Sequence, residues 1–356
     1  MKEKVIVGLS GGVDSSVAVH LLKEQGYECI GVTMRVWQPK TEEAFNVIKK
    51  AEADAADVAK HFGIEHHMVD FCDKFDYDIM RYFTDEYLAG RTPNPCTICN
   101  NRVKWEALMS AAELYGADKV ATGHYARVIK LPSGRYSLMT TPTAVKDQTY
   151  ALYRLSQEQL AKTIMPVGEY TKDEIRKMAV ESGISVADKP DSQEICFIPD
   201  NDYAGFIKQY TDKSVDAGNF VDVQGKVIGQ HKGIIHYTVG QRKGLGIALG
   251  QPAFVVDIKP DTNEVVIGTN EDVFSDVLYA DSVNYMGIAD IPEEGLMLTA
   301  KIRYAHKGAR CVVTKIADGG IKCEFTEPQR AITPGQSVVL YKDNYIALGG
   351  IIKKTR

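Results

Sequence analysis

Gly8-Leu9-Ser10-Gly11-Gly12-Val13-Asp14-Ser15-Ser16 is the stretch that decides the fold. It follows Lys4–Leu9, whose Val5-Ile6-Val7 run suits a buried strand, and it leads into Ser15–Gln25, a helical stretch closed by Gly26. A Gly-rich turn between a strand and a helix turns backbone N–H groups and a helix N-terminus toward one point, where they favour an anion. Gly11 and Gly12 allow a backbone geometry and a close approach that side chains would obstruct, and Ser10, Ser15 and Ser16 add hydroxyls. No lysine follows the glycines, so this is not a Walker A loop, and the spacing is not that of a dinucleotide-binding GxGxxG. The bland alternative is an ordinary strand-to-helix turn with a capping serine.

Outward from this loop, strands and helices alternate. Cys29–Met34 reads as a strand, Glu42–Phe62 as a helix ending at Gly63, His66–Asp70 as a strand and Asp76–Ala89 as a helix. Lys104–Tyr115 follows as a helix capped by Gly116, then Lys119–Thr122 as a strand. Ser156-x-x-Gln159 and Thr171-x-x-Glu174 are capping-box patterns, predicting helices near 157–162 and 172–182, the second stopped by Gly183. Such alternation predicts an α/β fold with a doubly wound parallel sheet over residues 1–200. Past residue 200 the pattern becomes short β runs: Asn219–Val223, Gly225–Ile228, Phe254–Ile258 and Glu264–Ile267, with Pro260-Asp261-Thr262-Asn263 as a hairpin connection. From Leu278 onward come Leu296–Tyr304, Ala309–Ile316, Ile321–Phe325, Ser337–Lys342 and Ala347–Ile352, which predict a small barrel. The expected division is 1–200, a small mostly β central domain at 201–272, and a C-terminal β-barrel at 273–356.

The chain has 356 residues, enough for two or three domains at about 150 residues each. Hydrophobic residues at 44% and charged residues at 25% exclude disorder, collagen and coiled coil. No apolar run approaches the roughly 18 residues of a membrane helix, and the N-terminal stretch lacks the pattern of a signal peptide. The net charge of −5 hides an asymmetry: residues 301–356 carry 11 basic and 4 acidic residues, a net +7 that suits phosphates as well as it suits a solvated face. Seven cysteines do not form an even secreted framework, so the expected setting is a reducing cytoplasm.

Two further motifs involve those cysteines. Pro93-Asn94-Pro95-Cys96-Thr97-Ile98-Cys99-Asn100 holds a CxxC, compatible with redox, metal or structural roles. Asp191-Ser192-Gln193-Glu194-Ile195-Cys196-Phe197 sets a single cysteine among polar residues at the end of the α/β region. Cys29, Cys72, Cys311 and Cys323 fall at or near strands and are expected to be inert.

The string S-G-G-V-D-S resembles the PP-loop of ATP pyrophosphatases, which cleave ATP between the α- and β-phosphates. Together with P-N-P-C-x-x-C-N, T-G-H-Y-A-R (Thr122–Arg127), K-D-Q-T-Y (Lys146–Tyr150) and D-S-Q-E-I-C-F, the chain resembles the tRNA-specific 2-thiouridylase family, MnmA type. The stretch from His231 through H-Y-T-V-G-Q-R-K-G-L-G (His236–Gly246), K-I-R-Y (Lys301–Tyr304) and T-P-G-Q (Thr333–Gln336) extends the match in order over essentially the whole length.

The resemblance implies a tRNA-uridine 2-sulfurtransferase that adenylylates the C2 oxygen of the wobble uridine U34 and replaces it with sulfur. It implies ATP and Mg²⁺ as cofactors, with Gly8, Leu9, Ser10, Gly11, Gly12, Val13, Asp14 and Ser15 at the phosphates and Met34 and Gly123 near the adenosine. Cys196 would carry a persulfide and Cys99 would be the partner nucleophile, ending in a Cys99–Cys196 disulfide. Asn94, Pro95 and Cys96 would face the target base; His124, Lys146, Asp147, Gln148, Arg303, Tyr304 and Gln336 would contact tRNA. Read without the resemblance, His124 is a satisfied histidine at a strand end and Arg303 a solvated barrel residue. The implied partners are tRNAs for Lys, Glu and Gln and a cysteine desulfurase or sulfur-relay protein, with no membrane. Many family members carry Asp where this chain has Cys96. That departure opens a second route, in which Cys96, Cys99 and Cys196 hold a [4Fe–4S] cluster that delivers sulfide. Two competing functions are another PP-loop enzyme, such as a lysidine, GMP or argininosuccinate synthetase, and a non-catalytic RNA-binding protein with a nucleotide-sensing loop.

Overall fold

The computed structural model describes residues 2–39, 42–142, 146–184, 186, 195–247 and 250–355. Five parallel strands form the first sheet, in the order β3-β2-β1-β4-β7: β1 is Lys4–Gly8, β2 Glu28–Arg35, β3 Glu65–Asp70, β4 Lys119–Ala121 and β7 Thr163–Ile164. Val5, Ile6 and Val7 of β1 have no exposed surface, as a strand covered on both faces requires. Helices Val13–Glu24, Glu42–Phe62, Trp105–Tyr115 and Lys172–Glu181 accompany the sheet. Both expected capping boxes are formed, Ser156 with Gln159 and Thr171 with Glu174, and Gly116 ends its helix in the left-handed region at φ 63°.

The helical stretch at 76–89 differs from expectation. It runs as a turn Cys72–Phe75, a π-helical turn Asp76–Met80 and a helix Arg81–Leu88. A second π-helical turn, Asn100–Lys104, joins the short helix Pro95–Cys99 to Trp105–Tyr115, so helix begins well before the expected Lys104. There Trp105 N–H reaches back five residues to Asn100 O. The wider turn seats the Trp105 ring in the core, where its indole N–H donates to Thr163 Oγ1 at 2.7 Å. The composition gave no warning of the hairpin β5–β6 (Arg127–Lys130 and Tyr136–Met139), whose strands are only four residues long and mixed in polarity.

The described chain divides into two compact units. The first takes in Met1–Ile79, Cys96–Phe197 and Asn344–Ile346, and the second Met80–Pro95, Ile198–Asp343 and Ala347–Arg356. Inside the second unit are two separate sheets with separate cores. Four strands form one in the order β10-β11-β8-β9: β8 Gly218–Asp222, β9 Val227–His231, β10 Phe254–Lys259 and β11 Glu264–Gly268. Its core holds Phe220, Tyr237, Val255 and Val265. The expected Gly225–Ile228 strand starts later because Asp222 Oδ1 accepts Gln224 N–H and Lys226 N–H, closing a turn with Gly225 at φ 86°. A helix, Tyr203–Tyr210, precedes this sheet where only strands were expected, and the Asp202 carboxylate caps it by accepting Gly205 N–H.

The C-terminal strands are β12 Phe274–Tyr285, β13 Leu296–Lys301, β14 Ala309–Lys315, β15 Ile321–Arg330, β16 Ser337–Lys342 and β17 Tyr345–Lys354. They run β12-β15-β14-β13-β16-β17 and close through β12–β17, which leaves this barrel without an open edge. Leu298, Val313, Leu340, Leu348 and Ile352 fill its interior, and so do Cys311 and Cys323, in contact with each other.

Leu340 is fully buried in this closed core. Leu340→Ala should therefore lower stability by about 2–5 kcal/mol, read as a lower denaturation midpoint of the barrel in urea.

Candidate active site

Sheet order places the first candidate site. β1 has β2 on one side and β4 on the other, so the chain's strand order reverses at β1. In open α/β sheets ligands bind at the carboxyl ends of the strands where that reversal opens a crevice. The Gly-rich loop follows β1, Met34 lies near the end of β2, and Thr122-Gly123-His124 follow β4.

The loop is held by its neighbours. Leu9 N–H donates to Val32 O at 2.8 Å. Gly11 has φ 67°, and a Cβ there would lie 2.3 Å from Ala51 O in the facing helix. Gly12 is the N-cap of Val13–Glu24 and supplies no side-chain cap, so the orphan N–H groups of that helix are left to an anion. Ser15 and Ser16 are buried, and their hydroxyls donate to Gly12 O at 3.1 and 2.8 Å, whereas Ser10 is exposed. A Cβ on Gly123 would lie 2.6 Å from Asp14 C and Ser15 N, so β4 presses its backbone directly on the loop.

Cys96, Cys99, Cys196 and Lys104 form a second cluster in the same unit. Cys96 and Cys99 lie on the short helix Pro95–Cys99; Cys96 is exposed and Cys99 buried. Cys196 keeps accessible surface, although the protein around it desolvates the thiol. Desolvation pushes Cys99 up to about 12 and Cys196 up to about 11, the Lys104 ammonium opposes both shifts, and the neighbouring thiols add to them. All three cysteines are free. Asn100, beside Cys99, donates from Nδ2 to Ala151 O at 3.0 Å, while its buried Oδ1 has no hydrogen-bond partner among the described residues.

Among the described residues, no group of three or more His, Cys, Asp or Glu side chains is placed to hold a metal ion. Among the described residues, Cys96, Cys99 and Cys196 are thus not arranged as the three-thiolate donor set that a [4Fe–4S] cluster needs. Asp191, Ser192, Gln193 and Glu194 of the third motif lie outside the described residues.

The remaining candidate residues are placed as follows. His124 Nδ1 lies 3.0 Å from Thr122 Oγ1 and its ring packs near Trp105; desolvation, aided by Lys104, brings its imidazole down to about 3 and holds it neutral. Asp147 is buried and accepts Thr141 N–H at 3.0 Å and Thr149 N–H at 3.1 Å. Gln148 Oε1 accepts Tyr125 N–H at 2.8 Å, and Lys146 is half-buried. In the second unit, Asn94 is half-buried, Pro95 is buried, and Gln336 donates to Thr92 O at 2.8 Å. Arg303 and Tyr304 are exposed there on a loop after β13, with Arg303 donating to Arg330 O.

Family models match three segments: residues 3–200 as a tRNA methyl transferase HUP domain, 204–269 as a tRNA methyl transferase PRC-barrel domain, and 275–352 as an aminomethyltransferase β-barrel domain. The tRNA-specific 2-thiouridylase MnmA of Lachnoclostridium phytofermentans is 55% identical over 357 residues, 99% of this chain and 100% of that one. The chain belongs to the tRNA-specific 2-thiouridylase family. The MnmA protein of Clostridium kluyveri is 51% identical over 99% of each chain. Among solved structures, the U34-tRNA thiolase NcsA of Methanococcus maripaludis, with its [4Fe–4S] cluster, aligns over 59% of this chain and 71% of its own at 19% identity and TM-score 0.36.

In this thiouridylase, sequence reasoning missed two lysines. Lys104 stands five residues after Cys99, on the π-helical turn, a local position that could have been noticed. Lys172 donates to Asp14 of the Gly-rich loop at 2.7 Å from 158 residues away, and no local pattern signals it.

Two measurements follow from this geometry. Gly123→Ala forces the loop backbone aside and should weaken ATP binding about a hundredfold in calorimetry while the fold persists. Both thiols lie above neutrality, so their thiolate fractions at pH 7 are small and climb about tenfold per pH unit, levelling near 11 for Cys196 and near 12 for Cys99. Alkylation followed by mass spectrometry should show Cys196 reacting first and both rates rising with pH.

Proposed function

We propose that the Gly-rich loop and the cysteine cluster serve one reaction, ATP-dependent 2-thiolation of a tRNA uridine. The chain is a tRNA 2-thiouridylase, and identity of 55% and 51% over 99% of the chain with two named members of that family carries this reading. No helix among the described residues is long and apolar enough to cross a membrane. The substrate set is tRNA for Lys, Glu and Gln, the sulfur donor a cysteine desulfurase or relay protein, and the location the cytoplasm. Residues 1–200 activate the base, and 201–272 and 273–356 help hold the RNA.

The uncapped N-terminus of Val13–Glu24 and the backbone of Gly8–Ser15 bind the ATP phosphates, and Met34 and Gly123 lie beside the adenosine. Asp14 offers the hard carboxylate oxygen suited to Mg²⁺, which when bound would screen the phosphate charge. Asn94, Pro95 and Cys96 face the uracil; His124, Lys146, Asp147, Gln148, Arg303, Tyr304 and Gln336 hold the tRNA.

The uracil O2 forms a bond to the α-phosphorus, the bond from that phosphorus to the bridging oxygen breaks, and the electron pair leaves with pyrophosphate. The N3 proton departs as this adenylate forms. The terminal sulfur of a Cys196 persulfide then attacks C2, and AMP leaves with the C2–O electron pair. Cys99 thiolate attacks Cys196 Sγ, which forms the Cys99–Cys196 disulfide, leaves sulfur on C2 and lets N3 regain its proton. Thiolate, not thiol, does this chemistry, so the Lys104 charge beside both sulfurs favours the reactive form. Keeping water away from the adenylate prevents its hydrolysis back to uridine.

Cys99→Ala and Cys196→Ala should each abolish 2-thiouridine formation, measured by nucleoside mass spectrometry of reacted tRNA, while ATP binding stays intact. Thiolation retained in both variants would overturn the persulfide route.

A further inference from the structure

Thiolation through a persulfide ends in a disulfide between two sulfurs that the protein shields. Cys99 is only 7% exposed, and the Cys196 thiol is desolvated as well. A reductant in solution needs a sulfur it can reach, because thiol–disulfide exchange runs through attack of a thiolate on one sulfur and a mixed disulfide. Cys96 is the exposed cysteine of the CxxC, three residues before Cys99 on the same short helix. The thiolation steps use Cys99 and Cys196 and give the Cys96 sulfur nothing to do.

Spacing brings that sulfur within reach. Residues three apart on a helix are neighbours on one face, with Cβ atoms about 5–6 Å apart. A disulfide needs a Cβ separation of about 3.5–4.5 Å, so closing Cys96 onto Cys99 asks for a small tightening of one helical turn. The helix Pro95–Cys99 is five residues long and gives way to the π-helical turn at Asn100, so no long regular helix resists that change. Cys196 belongs to the same cluster: the Cys99 thiol feels the charge of both Cys196 and Cys96, and the Cys196 thiol feels that of Cys96. In a Cys99–Cys196 disulfide the two sulfurs are unequal leaving groups. Cys196, pushed up to about 11, leaves more readily than Cys99, pushed up to about 12, which directs an incoming thiolate to Cys99 Sγ. Cys96 stands beside that sulfur on the helix.

We propose that Cys96 resolves the disulfide left by each round of thiolation and so resets the site. Its thiolate attacks Cys99 Sγ, the Cys96–Cys99 bond forms, the Cys99–Cys196 bond breaks, and the electron pair leaves with Cys196 Sγ. The proton lost from Cys96 is matched by one gained at Cys196, and the exchange involves no net oxidation. Cys196 is then a thiol again and can accept the next persulfide. The disulfide now has one sulfur on the exposed Cys96, where a dithiol reductant from solution attacks: Cys99 leaves as thiolate, and the second thiol of the reductant releases Cys96. This deepens the persulfide reading of Cys99 and Cys196 and rests on it.

The test maps disulfides in the full chain after one round of thiolation. Persulfide-loaded protein is mixed with ATP and tRNA without reductant, quenched in acid, alkylated with N-ethylmaleimide and digested with trypsin unreduced. Cleavage yields residues 92–102, which hold Cys96 and Cys99, and residues 178–208, which hold Cys196, because Pro190 blocks the cut after Lys189. The wild-type chain should give peptide 92–102 alone, unalkylated and lighter than the dithiol by the pair of hydrogens lost, with Cys196 alkylated. Cys96→Ser should instead give 92–102 cross-linked to 178–208, in proportion to the 2-thiouridine formed. Diamide, a thiol oxidant, applied to both reduced chains without tRNA makes the same comparison independently of turnover. A wild-type chain that keeps the cross-linked pair with Cys96 alkylated would overturn the proposal while leaving the persulfide route standing. Formation of 2-thiouridine with no disulfide at any of the three cysteines would overturn the persulfide reading itself, and this proposal with it.

Discussion

Everything in the N-terminal unit is placed by the burial of one strand. β1 is covered on both faces, with Val5, Ile6 and Val7 fully removed from solvent, so its carboxyl end cannot shift without opening the core. The loop leaves from that end, the helix Val13–Glu24 leaves from the loop, and β4 delivers Gly123 against the same backbone. A flexible arrangement of donors would lose much of its attraction for an anion in the effort of ordering itself. Here the ordering is already complete in the folded chain.

The two clusters of the unit have opposite electrostatic characters. Around the loop, charges meet at hydrogen-bond distance: carboxylate, ammonium and phenol converge on one oxygen of Asp14. Around the cysteines, desolvation dominates and the Lys104 ammonium offsets it only in part. The first environment suits a highly charged substrate. The second keeps sulfur protonated and unreactive until something shifts the balance toward the anion.

The fold was legible where local rules and tertiary packing agree. The Gly-rich turn, the two capping boxes and the Ser337–Lys342 strand are each set by neighbours within a few residues, and each is found where the sequence puts it. The misses have a common cause. The strand after Asp222 starts later than expected because a side chain closes the turn, and the helix at Tyr203 is aromatic-rich and carries a Gly, so its cap at Asp202 was the only clear sign. At the site, motifs gave the loop and the cysteines, but Lys172 could not be read, because its significance exists only once a distant helix is folded against Asp14. Asp147 and Gln148 sit in an expected RNA-contact segment, yet their side chains brace the backbone of Thr141, Thr149 and Tyr125, a division of labour no linear pattern reveals.

The π-helical turn at Asn100–Lys104 has a consequence for how this region can vary. Such a turn accommodates one residue more than an α-helical turn would. Removing a single residue between Cys99 and Trp105 would let the helix run on as a regular α-helix with the residues after it still in phase, whereas the same deletion from a regular helix would rotate everything after it by about 100°. Trp105 would keep its direction toward Thr163, and only the turn that carries Lys104 beside the cysteines would be redrawn. The irregularity therefore acts as an absorbed insertion: it confines a change of length to the turn beside the sulfurs and leaves the core-filling ring undisturbed.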